Sequence, residues 1–218
     1  MGTYLILFSL SLFLGLIFKL NKNQKKQNRI ILTYEELMNT DENIILYLRS
    51  FKDDHNGKKL NDPRMKMLES TYEENLASSL KSKYFVTVGK PGEELPELGA
   101  YRFYINQNNW KEQVGSLIKK SKFVIIKPSN TDGLKWELDF MFKNNYKDKL
   151  IFFHQYGDYT DNNVLNYYYS ELKAYLNNQY NIEMCDYKKG FKYSYFPNNV
   201  HVLKDSLKKI IQNNNTVK

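Results

Sequence analysis

The sequence predicts an α/β domain built on a mostly parallel sheet with helices on both faces, preceded by one N-terminal transmembrane helix. Three observations predict it. From residue 43 onward, short apolar runs alternate with stretches of helical spacing, the β-then-α order that folds into a parallel sheet. Phe123–Ile126 and Leu150–Phe153 are continuously apolar, as strands covered on both faces are. Gly2–Phe18 carries no charge and no proline, and a basic cluster follows it.

Each element has its own signal. Ile44–Phe51 is a strand bounded by Asn43 and the polar cluster Lys52–Lys59. Pro63–Lys83 reads as a helix, with Met67, Leu68, Tyr72, Leu76 and Leu80 at helical spacing. Tyr84–Val88 is the second strand, stopped by Gly89, Pro91 and Gly92, and Tyr101–Ile105 is a short extra strand. Trp110–Lys120 is a helix opened by Asn108 or Asn109, with Trp110, Val114, Leu117 and Ile118 on one face. The strand Phe123–Ile126 ends before Pro128, and Leu134–Phe142 begins the next helix, capped by Thr131 or Asp132. After strand Leu150–Phe153 come a tyrosine-rich helix Val164–Leu176, an edge strand Val200–Leu203 and an amphipathic helix to Ile211. The domain boundaries follow as 1–20 for the anchor, 21–42 for a basic juxtamembrane linker and 43–218 for the α/β domain.

Composition narrows the chemistry. Of 218 residues, 18 are Tyr and 13 Phe, enough aromatic bulk for a large core. A single cysteine, Cys185, excludes a disulfide framework and any cysteine-rich zinc site. Three scattered histidines, His55, His154 and His201, do not make a metal site, so neither metal nor resident cofactor is expected. The net charge of +8 is uneven: Lys19, Lys22, Lys25, Lys26 and Arg29 supply five positive charges before the first acid, Glu35. The rest of the chain holds 27 basic and 24 acidic residues, so the folded domain shows no basic excess of the kind nucleic acid requires.

The apolar run, at about 1.5 Å per residue, spans roughly 26 Å of helix, just enough to cross a hydrocarbon core. Nothing basic precedes it, and bulky Ile17, Phe18 and Leu20 close it where a signal peptide would carry small residues. The positive charges all follow it, which places the C-terminal domain in the cytoplasm of a single-pass protein. The basic stretch 19–29 then lies against anionic lipid.

A parallel sheet binds ligands outside the carboxyl ends of its strands, where the strand order reverses. Those ends are Arg49–Asp54, Gly89–Gly99 and Ser129–Glu137. Neither GxGxxG nor GxxxxGK[ST] occurs there, so the standard dinucleotide and triphosphate cradles are absent. Arginine is rare beside lysine, and Arg49 and Arg102 sit where a forked donor could grip a diphosphate or a carboxylate, or pair with neighbouring acids. Glu137 falls beside the stripe Leu134, Leu138 and Met141 on the opening turns of a helix, next to Trp136. A carboxylate there is either partly desolvated, which suits acid–base work, or a solvated partner of the helix dipole.

The layout Ile44–Asp54, then Trp110, Val114, Ile118 and Ser121, then Phe123–Ile126 with Ser129 and Trp136-Glu137-Leu138 resembles a TIR (Toll/interleukin-1 receptor-like) domain over residues 43–155. The segments LYLRSF, PGEELPELGA and GLKWEL are similar to those of bacterial membrane proteins. The resemblance implies a flavodoxin-like sheet and cleavage of the bond between nicotinamide and ribose in NAD or a related nucleotide, which is substrate rather than cofactor. It implies Glu137 as the catalytic carboxylate and Arg49 as facing the diphosphate, while Arg102 stands as a substrate ligand on its arginine chemistry alone. Trp136 or Tyr101 would stack on a ring, Phe51 and Gly92 would shape the walls, and Ser50, Asp53 and Ser129 would complete the substrate site. It also implies homo-oligomerisation in the active state. Two other readings fit the same sequence: a catalytically silent TIR-like scaffold at the membrane, and a nucleoside N-deoxyribosyltransferase-like enzyme using the same glutamate.

The anchor is directly testable. Replacing Leu10 and Leu14 by lysine is expected to move the protein into the soluble fraction, since each charge at mid-bilayer costs about 2.5–3.5 kcal/mol on insertion scales. A variant that still resists high-salt and carbonate extraction would show that the segment is not a span.

Overall fold

A computed structural model describes residues 31–51, 72–80, 84–92, 99–105, 107–154, 162–188, 193–196, 200–202 and 209–211, together with Phe13, Gly15 and Leu207. Five parallel strands form the sheet: β1 (Ile44–Leu48), β2 (Tyr84–Val88), β3 (Tyr101–Phe103), β4 (Phe123–Ile126) and β5 (Leu150–Phe153). Two antiparallel strands, β6 (Tyr193–Tyr195) and β7 (Val200–Val202), extend it beyond β5. The order is β3-β2-β1-β4-β5-β6-β7, so the chain builds leftward from β1 and then crosses to β4 and builds rightward. The reversal falls between β1 and β4.

The helices are α1 (Tyr34–Asn39), α2 (Tyr72–Leu80), α3 (Trp110–Lys120), α4 (Asp132–Lys143) and α5 (Asn162–Tyr180). Strand alternation sorts the core into two layers. Ile44, Leu46 and Leu48 pack with Leu37 of α1, Val114 of α3, Leu138 of α4 and Leu172 of α5. Ile45 and Tyr47 pack with Leu76 and Leu80 of α2 and with Leu207 and Ile211 near the chain end. The central strands are buried along their whole length, which is why they read as unbroken apolar runs.

Most boundaries stand where the sequence places them, and the departures have local causes. β1 stops at Leu48, not Phe51, because its last rung is the Lys127 amide donating to the Leu48 carbonyl. α3 starts at Trp110 as expected, but its N-cap Asn109 makes no side-chain bond. Thr131 caps α4 by accepting from the Leu134 amide. That helix ends in a Schellman turn: Asn145 is left-handed at φ 59°, and Tyr146 donates to the Met141 carbonyl at 2.8 Å. α5 runs past Leu176 to Tyr180 and ends at left-handed Asn181. Of the helix expected over Pro63–Lys83, the described part is Tyr72–Leu80.

Within the stretch expected as linker, residues from Ile31 onward lie against the sheet. Ile31 bridges Arg102 in parallel, and the Leu32 amide donates to the Arg102 carbonyl at 2.7 Å. Thr33 and Glu36 then form a reciprocal capping box that starts α1, whose Leu37 is fully buried. The folded domain therefore includes residues from Ile31. The apolar segment Gly2–Phe18 lies outside the described residues except for Phe13 and Gly15, both helical. Among the described residues no helix is long and apolar enough to cross a membrane.

One buried ion cluster joins three strands to α2. Glu73, on the first turn of α2, is 5% exposed and faces Arg102 of β3, which is fully buried. Arg102 Nη1 donates to Glu73 Oε1, and Nη2 donates to Oε2 at 3.2 Å. The Ala100 amide donates to the same Oε1 at 3.0 Å, and Arg49 Nε lies 3.7 Å from Oε2. Arg49 also donates to Thr87 Oγ1 at 3.1 Å and to the Val88 carbonyl at 3.3 Å, crossing from β1 to β2. Gly99 permits the approach: its φ is +135°, and a Cβ there would sit 2.6 Å from the Glu73 backbone.

Glu73→Gln is expected to lower unfolding stability by about 3–5 kcal/mol, because it strips the shared anion from buried guanidinium groups. Urea denaturation checks this. A loss below about 1 kcal/mol would show that the cluster does not hold the fold.

Candidate functional site

A cleft of about 590 Å³ opens at the carboxyl ends of β1 and β2, beside the reversal of strand order. Its size is that of a small-molecule site. The floor comes from Leu48 at the end of β1, Arg49 and Ser50 just after it, and Thr87 and Val88 of β2. Gly89, Lys90 and Pro91 form one rim, and Ile105, Trp110 and Val114 another. Thr131, Gly133, Leu134 and Glu137 bring in the first turns of α4. The lining is largely apolar, with a few polar groups converging on it.

Glu137 dominates the chemistry. It is 9% exposed, Oε2 is buried, and among the described residues that atom has no hydrogen-bond partner. The sequence left open whether this carboxyl is desolvated or a solvated partner of the helix dipole, and the structure decides for the first. Leu134, Glu137, Leu138 and Met141 form one buried face because α4 packs flat against the sheet. Burial without a counter-charge penalises the anion and pushes its pKa up to about 8. At neutral pH the unliganded carboxyl is therefore mostly protonated.

The remaining expected site residues divide. Arg49, Ser50 and Phe51 line the cleft with Glu137. Arg49 is held from below by Glu73, Thr87 and Val88, so its salt-bridge role is present in addition to its place on the floor. Arg102 does not reach the cleft: it is wholly buried against Glu73. Tyr101 is half-buried and packs on Tyr84 at a ring distance of 6.0 Å. Gly92 is exposed in its turn at φ 73°, one residue beyond the rim. Ser129 lies on the other side of the α4 N-terminus, 3.4 Å from Thr131 Oγ1. Trp136 turns away and packs between Trp110 at 4.8 Å and Phe140 at 5.3 Å. Asp53 lies outside the described residues.

No family model, curated protein or solved structure matches this chain. The likeness to TIR domains therefore rests on the short segments quoted above.

Several cleft residues carried no sequence signal of their own. Trp110 reads as a core residue of α3, yet it lines the cleft and packs edge-on to Trp136. Lys90 and Pro91 fall within a strand-end loop flagged as a whole, and Thr131 reads only as a helix cap. Among the described residues no group of His, Cys, Asp and Glu is placed to hold a metal ion.

The buried carboxyl gives stability a definite pH dependence. Its folded pKa lies above its unfolded value, so between about pH 4.5 and 8 the folded state binds more protons, and stability falls as pH rises. At about 1.4 kcal/mol per pH unit, Glu137→Gln is expected to gain about 3 kcal/mol on wild type between pH 5 and pH 7. Parallel denaturation curves at the two pH values check this, and a constant difference would mean the carboxyl is solvated.

Proposed function

We propose that this protein is a membrane-anchored, TIR-like enzyme that cleaves the nicotinamide–ribose N-glycosidic bond of NAD or a related nucleotide in the cytoplasm. The observation that carries the reading is Glu137: a buried carboxyl with an unpartnered oxygen, in a cleft at the reversal of strand order. The apolar segment 2–18 and its basic flank support the anchor.

In this reaction the C1′–N bond breaks and its electron pair passes to the ring nitrogen, turning a pyridinium into neutral nicotinamide. Positive charge moves onto C1′ and the ring oxygen, and water adds at C1′ with loss of a proton. A carboxylate opposite that carbon stabilises the developing charge. Glu137 must be ionised for this role, and the cationic substrate supplies the missing counter-charge that draws its pKa down. In a desolvated cleft that attraction is far stronger than in water. Arg49, already fixed by Glu73 and Thr87, presents a pre-set positive charge on the floor, and Lys90 adds a second at the rim. Phe51 and Trp110 offer apolar walls to a flat ring.

Incubation of the full-length protein with NAD, followed by assay for free nicotinamide, tests the proposal. kcat/KM is expected to rise with pH through a half-maximum near pH 8, the limb of the free enzyme's essential base. Glu137→Gln is expected to reduce turnover roughly 10²–10³-fold. Wild-type release by that variant would remove Glu137 from the mechanism, and no release by the wild type at any pH would reject the activity.

A further inference from the structure

A second cavity lies on the opposite side of the α4 N-terminus. It holds about 520 Å³ between the loop after β4, α4 and the face of α5 that carries Tyr168, Glu171 and Leu172. Asn130, Tyr167, Tyr168, Glu171 and Asn178 are among its lining residues. Tyr167 is 60% exposed and Tyr168 36%, and their rings meet edge-on at 5.6 Å. Two neighbouring tyrosines left open to solvent in a concave wall, with amide side chains beside them, suit a flat heteroaromatic ring with polar edges.

The two cavities share a wall. Leu134 lines both, and the turn Thr131–Leu134 separates them. That turn opens α4, a helix of 12 residues, so the amides of Asp132 and Gly133 have no intrahelical partner, while Thr131 Oγ1 accepts from that of Leu134. Gly133 leaves the crest bare: a Cβ there would meet nothing within 4 Å. Such a helix end favours a phosphate group. Asp132 and Lys135 flank the crest with opposite charges. The buried, unpartnered Glu137 oxygen marks the cleft side of this path as a ligand site independently of the helix end.

We propose that the groove between α4 and α5 receives the second base of a dinucleotide, whose diphosphate crosses the α4 N-terminus and whose reacting ribose lies at Glu137. The inference rests on the proposed reaction for the identity of the reacting half, but not for the existence of the groove site. It makes the protein selective for dinucleotides over mononucleotides, because only a dinucleotide reaches both cavities.

The test replaces Tyr167 and Tyr168 together by alanine in the full-length protein, held in detergent micelles. The double variant is expected to lose about tenfold or more in kcat/KM for NAD, the size of a base–aromatic stack, while nicotinamide mononucleotide is cleaved as by wild type. Equal losses on both substrates, or no loss on NAD, would overturn the inference. A second arm uses adenosine monophosphate as the probe and reads binding by titration calorimetry. Wild type is expected to bind it, and the double variant to bind it about tenfold more weakly. If wild type cleaves neither substrate, the reaction is wrong and this arm alone decides the groove. Weakened binding in the variant upholds it, whereas unchanged or absent binding overturns it.

Discussion

The constraint on which the rest of the structure depends is the burial of one carboxylate among two arginines. Glu73 sits at the start of α2, yet it reaches across to Arg102 of β3 and to Arg49 just after β1. Taking three charges out of water is expensive, and only well-made hydrogen bonds offset it. Those bonds are made here by a forked arginine, a backbone amide and a glycine that lets the chains approach. The result fixes the relative height of α2, β3, β2 and β1 at the carboxyl edge of the sheet. The floor of the cleft is the upper surface of that cluster, so the geometry of Arg49 in the site follows from the packing beneath it.

How much of this was legible in the sequence depended on the range of the forces involved. The strands β2, β4 and β5 and the helix α3 were readable residue by residue, since burial on both faces, or an apolar stripe, writes a local pattern. The capping box Thr33–Glu36 was also local and present in the sequence, but a six-residue helix beside a basic run carries too little periodicity to stand out. β6 was not legible: Tyr193-Ser194-Tyr195 is three residues long and exists because β5 offers it an edge. The site shows the same division. Glu137 was found because a charge beside an apolar stripe is a local anomaly. The role of Glu73 was invisible, because its partners lie 24 and 29 residues away and only the fold brings them together.

Trp136 shows how adjacent residues in a helix part company. It and Glu137 are neighbours in sequence, yet about 100° separates them around α4. The carboxyl turns into the cleft while the indole turns to Trp110 and Phe140, with the Lys111 ammonium 5.8 Å from its ring. The tryptophan that reaches the cleft comes from α3 instead. A pair read from sequence as one functional unit is in fact an acid in the site and a strut that sets the spacing between two helices.

The pairing of Ile31 and Leu32 with Arg102 has a mechanical meaning. The first described residues of the domain lie alongside β3, parallel to it. Force applied at Ile31 along the strand direction loads this junction in shear, the geometry in which paired strands resist separation best. The load passes into the residue whose guanidinium is clasped by Glu73. A load entering at Ile31 is thereby delivered to the ion cluster beneath the cleft floor, not to a loose end.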